Sequence, residues 1–129
     1  MQIEHLALWV HDLEIMKAFY LSYFDTTAGE KYTNTTTQLA AYFIYFGEGK
    51  TRLELMTRPE IQDAAGKRGF TMGLAHFAIS VGGKERVNTL TERLRKDNYT
   101  IAREPRTTGD GYYESVILDP EGNYLEISA

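Results

Sequence analysis

His5, Glu54, His76 and Glu126 are the residues of this 129-residue chain whose types and spacing best suit chemistry. The chain has no cysteine, so a metal ion would have to be held by imidazole nitrogen and carboxylate oxygen. The same two groups can also move protons. The histidines stand 71 positions apart and the glutamates 72, so two separate landmarks keep one offset along the chain. Each histidine opens the same pattern: His5-Leu6-Ala7-Leu8-Trp9-Val10 and His76-Phe77-Ala78-Ile79-Ser80-Val81 both read His-x-Ala-aliphatic-x-Val. Each glutamate follows a leucine and precedes an aliphatic residue, in Leu53-Glu54-Leu55 and Leu125-Glu126-Ile127. A single histidine on a strand is more often a packed or surface residue than a ligand, and a single glutamate is usually just solvated. Two of each at matched places are harder to assign to chance. His11 faces Gly82 in the other copy and is read as a surface residue.

The offset predicts two tandem modules with one order of elements, each β-α-β-β-β. In the first, residues 3–10 alternate as a strand does. Asp12 suits a helix N-cap, and Leu13, Met16, Phe19, Tyr20, Tyr23 and Phe24 fall at helical spacing. Strands are expected over 30–34, 38–46 and 50–56, the last two joined by a Gly47-Glu48-Gly49 turn. In the second, a strand over 74–81 precedes a helix over 84–97 with Val87, Leu90 and Leu94 buried. Short strands follow near 100–104, 112–118 and 123–128, with Asp119-Pro120-Glu121-Gly122 as the final turn. The expected organisation is one domain over 1–129, with module one at 1–56, a linker at 57–73 and module two at 74–129.

Alternate residues of a strand share a face. Leu6, Leu8 and Val10, with Leu53, Leu55, Phe77, Ile79, Val81, Leu125 and Ile127, make an apolar face for the helices to cover. His5, Ala7, Trp9, Arg52, Glu54, Met56, His76, Ser80, Tyr124 and Glu126 fall on the other face. If the sheet curls, that face lines a cup. Two imidazoles and two carboxylates shielded from water would need a cation between them, and a solvated polar face is the alternative.

Composition excludes several classes. With 14 Lys+Arg against 18 Asp+Glu the formal charge is −4, which gives no reason to expect nucleic acid or an anionic membrane as partner. The first residues lack a signal-peptide pattern and no stretch approaches the ~20 apolar residues of a membrane span. A cytoplasmic protein with a small-molecule substrate is expected.

The paired modules, with His opening each first strand and Glu in each last strand, resemble the vicinal oxygen chelate superfamily. Its members include glyoxalase I, fosfomycin-modifying enzymes, extradiol dioxygenases and bleomycin-resistance proteins. The pieces that carry the resemblance are Gly73-Leu74-Ala75-His76-Phe77-Ala78, Thr51-Arg52-Leu53-Glu54-Leu55 and the run from Leu118-Asp119-Pro120 to Leu125-Glu126-Ile127. It implies an α+β fold of two βαβββ modules forming a cupped mixed sheet, with helices on the outer face.

The resemblance also implies a site. His5, Glu54, His76 and Glu126 stand where glyoxalase I has its metal ligands, and this four-donor set favours glyoxalase over the three-donor transferase and dioxygenase branches. Two nitrogens and two oxygens leave room for two waters on an octahedral ion, which suits Ni, Zn, Co, Fe or Mn. In a glyoxalase-type isomerisation a proton leaves the carbon beside a carbonyl and an enediolate is stabilised by the cation. Glu126 is then the expected base, with Glu54 next. Arg52, with Arg103 and Arg106 from a closing loop over 103–111, is expected to meet a substrate anion, and Trp9, Tyr42 and Tyr124 to form an aromatic wall. The resemblance further implies a homodimer. A bleomycin-resistance-like binding protein is the alternative from another class.

Overall fold

The computed structural model describes residues 1–63 and 65–129. The chain divides after Asp63 into two compact units. In the first, strand β1 (His5–Trp9) leads to helix α1 (Leu13–Tyr23) and then to β2 (Thr26–Ala28), β3 (Tyr32–Asn34), β4 (Leu39–Phe46) and β5 (Arg52–Thr57). The sheet runs β1-β5-β4-β2, with β3 also on β4. Only β1 and β5 are parallel; β2, β3 and β5 all pair antiparallel with β4.

The Asp12 carboxylate starts α1 by accepting from the backbone N–H groups of Glu14 and Ile15, both at 2.9 Å. The helix buries Leu13, Met16, Phe19 and Tyr20 against β4 and β5, where Ile44, Leu53 and Leu55 are buried. On its exposed side Glu14 receives Lys17, Lys31 and the Tyr42 hydroxyl. Hydrogen bonds from those three, Lys17 first, hold the Glu14 carboxyl at about 2. The strand β2 is absent from the pattern read in the sequence. It forms because the chain leaves the helix directly onto the end of β4, with the Thr26 hydroxyl donating to the Tyr20 carbonyl at 2.8 Å and Thr26 opposite Phe46.

The second unit repeats the plan with β6 (Phe77–Ser80), α2 (Lys84–Lys96), β7 (Ile101–Thr107), β8 (Tyr113–Leu118) and β9 (Tyr124–Ser128). Its sheet runs β6-β9-β8-β7, again with the first and last strands parallel. Helix α2 buries Val87, Thr91 and Leu94. Thr91, a residue the hydrophobic stripe passed over, is fully buried because its hydroxyl bonds the Val87 carbonyl and the Ser115 hydroxyl of β8, each at 2.7 Å. The turn before β9 is the expected one. Asp119 is buried and its carboxylate accepts from the N–H of Glu121 and Asn123 and from the Asn123 amide, while Gly122 takes φ 80°.

The expected closing loop over 103–111 is corrected by the structure. Residues through Thr107 belong to β7, with Arg103 opposite Val116 and Arg106 opposite Glu114. Pro105 is tolerated because β7 is an edge strand and its register shifts between Arg103 and Arg106. Only a tight turn remains, closed by Thr108 N–H to Tyr112 at 2.7 Å and Gly111 N–H to Thr108 at 3.0 Å. Among the described residues no helix is long and apolar enough to cross a membrane.

Both sheets keep the alternation read from the sequence. Leu125 and Ile127 are fully buried, while Tyr124, Glu126 and Ser128 between them are only partly covered. Ile127→Ala is therefore expected to lower unfolding free energy by about 2–5 kcal/mol. Ser128→Ala, one residue on and facing the other way, should stay within about 0.5 kcal/mol of the parent. Urea denaturation of the two variants measures the difference.

Candidate functional site

The parallel strand pairs place the site residues. In the first unit Ala7 of β1 lies opposite Glu54 of β5, and in the second Ala78 of β6 lies opposite Glu126 of β9. The register is the same in both. His5 and His76 each lie two residues before that alanine and so project on the glutamate's side of the sheet. His5 Nε2 is 3.7 Å from Glu54 Oε2, and His76 Nε2 is 3.2 Å from Glu126 Oε1. Each unit thus brings one imidazole and one carboxylate into contact. The carboxylates are the shielded partners, at 19% and 16% exposure against 41% and 47% for the rings. A cation meeting these donors would find both the rings and the acids from the open side.

The neighbourhoods of the two pairs differ. The Nδ1 of His5 contacts the Glu4 carboxylate, and its ring stands edge-on to Phe43 at 5.6 Å. Arg52 is paired with the same Glu4 and lies over the Phe43 ring at 4.1 Å. Trp9 is 39% exposed on the His5 side of its strand. His11, as expected, is a surface residue, with Nε2 3.1 Å from Asp63.

In the second unit Glu114 of β8 is buried on the same face as Glu126, since Val116 is opposite Glu126 and Glu114 is two residues before it. Burial pushes the Glu114 carboxyl up, the Glu126 charge adds to this, and Arg106 opposes it. Arg106 is exposed on β7 opposite Glu114, so its place is a strand edge and not a closing loop. Tyr124 packs edge-on to Phe70 at 5.5 Å and, with His76, lines a small cavity.

Tyr42 does not join an aromatic wall. It lies opposite Leu55 on the buried face, and its hydroxyl donates to Glu14 Oε1 at 3.0 Å. The aromatics on the site's side of β4 are Phe43, opposite Glu54, and Tyr45, opposite Arg52. Counting by twos through β4 would have found them. Glu4 and Glu114 also escaped the sequence reading; Glu114 is a lone acid in a strand with no counterpart in the first module to mark it. Among the described residues no group of three or more His, Asp or Glu side chains is gathered to hold a metal ion.

The model of the Glyoxalase/Bleomycin resistance protein/Dioxygenase superfamily matches residues 2–127. No curated protein sequence matches. Among solved structures the chain resembles a glyoxalase family protein from Enterococcus faecalis, with a TM-score of 0.78 at 19% identity over 99% of this chain and 97% of that one. It also resembles the trypanothione-dependent glyoxalase I of Leishmania major, with a TM-score of 0.73 at 22% identity over 99% of this chain and 86% of that one. Glyoxalase I from Zea mays gives 0.78 at 23% identity, over 98% of this chain and 44% of that longer one.

A carboxyl whose proton is held more tightly in the folded state weakens folding as pH rises. That stability is fully present below the ordinary value of 4.5 and is lost as pH climbs towards the raised one. Glu114→Gln is accordingly expected to be more stable than the parent at pH 7, with the gain shrinking as pH falls through the raised value and gone below the ordinary 4.5. Thermal melts across that range test it.

Proposed function

The chain belongs to the Glyoxalase/Bleomycin resistance protein/Dioxygenase superfamily, and on that premise we propose that it is a divalent-metal-dependent enzyme of glyoxalase I (lactoylglutathione lyase) type, acting on a small oxygen-chelating substrate. One observation carries the reading: the two His–Glu contacts, at the same register in both modules. The donor chemistry fits a divalent ion, since each largely shielded carboxylate has an imidazole as its close polar partner and lacks a cationic side chain to balance it among the described residues. His5, Glu54, His76 and Glu126 would hold one ion per site, of Ni, Zn, Co, Fe or Mn. Such an ion supplies Lewis-acid stabilisation of negative charge on substrate oxygen.

The chain's own groups do the rest. Glu126 takes the proton from the carbon beside the substrate carbonyl and returns it to the neighbouring carbon, and Glu54 is the second candidate for that role. The partial exposure of both rings leaves a substrate free to approach. Trp9 and Tyr124 offer apolar contact, and Arg106 a positive charge. Arg52 is committed to Glu4 and Phe43, so it holds the first pair's surroundings before it holds any anion. We place the protein in the cytoplasm as a homodimer.

Elemental analysis of the purified full chain, coupled to an assay with methylglyoxal and several thiols, tests the proposal. A stoichiometric divalent metal is expected, lost in both His5→Ala and His76→Ala, and lost in Glu54→Ala as well. Glu126→Gln should lower kcat by about 10²–10⁴-fold. Retention of metal in Glu54→Ala would replace the reading with a three-donor transferase or dioxygenase. Absence of any bound metal after reconstitution would replace it with a binding protein of the bleomycin-resistance type.

A further inference from the structure

The cavity beside His76 has a construction that the metal donors do not explain. It measures about 140 Å³, room for four or five waters at about 30 Å³ each. Its walls include Arg68, Gly69, Leu74, His76, Asn123 and Tyr124. The chain between the modules is fitted against the strands at Gly69, whose φ is 77°. A Cβ there would stand 2.8 Å from the Ala75 carbonyl oxygen and 2.9 Å from Tyr124 Cδ2, so only glycine allows this approach.

The cationic wall is positioned from behind. Buried Asp119 accepts from the Asn123 amide at 2.7 Å, and the Asn123 carbonyl oxygen accepts from Arg68 Nη1 at 3.0 Å. Glu121 lies 3.8 Å from Arg68 Nη2, which offsets part of the charge. Lys67 is not offset in this way. Its Nζ lies 4.9 Å from the Phe70 ring and 5.5 Å from the Tyr124 ring, and it has no acidic partner among the described residues. A lysine held over two rings, one of which lines the cavity, and an arginine locked by an Asp–Asn relay on the wall it shares with a half-open imidazole suit a small oxyanion.

We propose that Arg68, Gly69, Asn123 and Tyr124 form a subsite beside His76 for the anionic group of the substrate, a carboxylate or a phosphate, with Lys67 adding its charge from outside the lining, over the Tyr124 ring. The inference rests on the reading above in taking His76 as a substrate-facing residue. It narrows the substrate class to molecules carrying an oxyanion close to the reacting oxygens, so that with methylglyoxal the anion must come from the thiol.

The test is a ¹H–¹⁵N NMR titration of the full chain with glycolate, with inorganic phosphate, and with glycolamide as the neutral match to glycolate. Saturable shifts of the Gly69, Ala75 and Asn123 amides are expected with an anion and not with glycolamide. The affinity should weaken about tenfold in Lys67→Gln, an exposed position whose change spares the fold. Shifts with glycolate alone identify a carboxylate site, and shifts with phosphate alone a phosphoryl site. No saturable shift, equal shifts with glycolamide, or an unchanged affinity in Lys67→Gln would overturn the subsite. Metal uptake separates this outcome from failure of the reading beneath it. Metal bound without an anion response removes the subsite alone, and an anion response without metal leaves the subsite and removes the metalloenzyme.

Discussion

The parallel pairing of each module's first and last strands is the constraint from which the site follows. A parallel ladder fixes its partners residue by residue, and a slip of one would turn every side chain to the other face. Buried Leu8 with Leu55, and half-buried Ile79 with fully buried Ile127, fill the apolar side, so a slip in register would expose Leu55 or Ile127. Once those pairs are set, the residues between them have nowhere else to go. His and Glu are brought into contact on the open side in both modules as a by-product of core packing. The core energetics and the site geometry are therefore not independent, and a repacked β5 or β9 would move a carboxylate with it.

Around this shared frame the two modules have diverged. In the first, a charge network of Glu4, Arg52 and the Phe43 ring closes round His5 and leaves its cation spent. In the second, His76 borders an open cavity, and a further acid on the same face, Glu114, is buried and disfavoured in its charged form. The first pair is thus buttressed and the second accessible. That asymmetry fits a division of labour in which the donors are duplicated but the substrate contacts are not. The cations proposed to meet an anion, Lys67, Arg68 and Arg106, belong to the second half of the chain.

Much of this was legible in the sequence because it depends on period and offset. The repeat gave the modules, alternation gave the faces, and Asp12 and Asp119 announced the helix start and the last turn. What escaped was set by partners distant along the chain. Nothing local marks Thr26–Ala28 as a strand; β4 makes it one. The stretch from Arg103 to Thr107 has the Pro and Thr content of a loop, yet β8 supplies a ladder for it. Tyr42 reads as a wall residue until its hydroxyl is traced to Glu14 on the helix side, where α1 had already gathered Lys17 and Lys31. Glu114 looks like a solvated acid in sequence and is buried by the strands on either side of it.

The fold alone does not choose a chemistry, because the same modules serve enzymes and binding proteins alike. The weight falls on what it costs this chain to keep its donors. A carboxylate four-fifths shielded from water, with an imidazole for its polar neighbour, is poorly compensated unless a cation joins it. A binding protein with an apolar pocket would gain by replacing such an acid with leucine. A three-donor enzyme would need to keep Glu126 and could discard Glu54. Glu54 is instead kept at the same register and nearly the same shielding as Glu126, and with the same histidine contact. The proposed metalloenzyme is a chemistry that would use both acids, and the duplicated cost is what favours it over the alternatives.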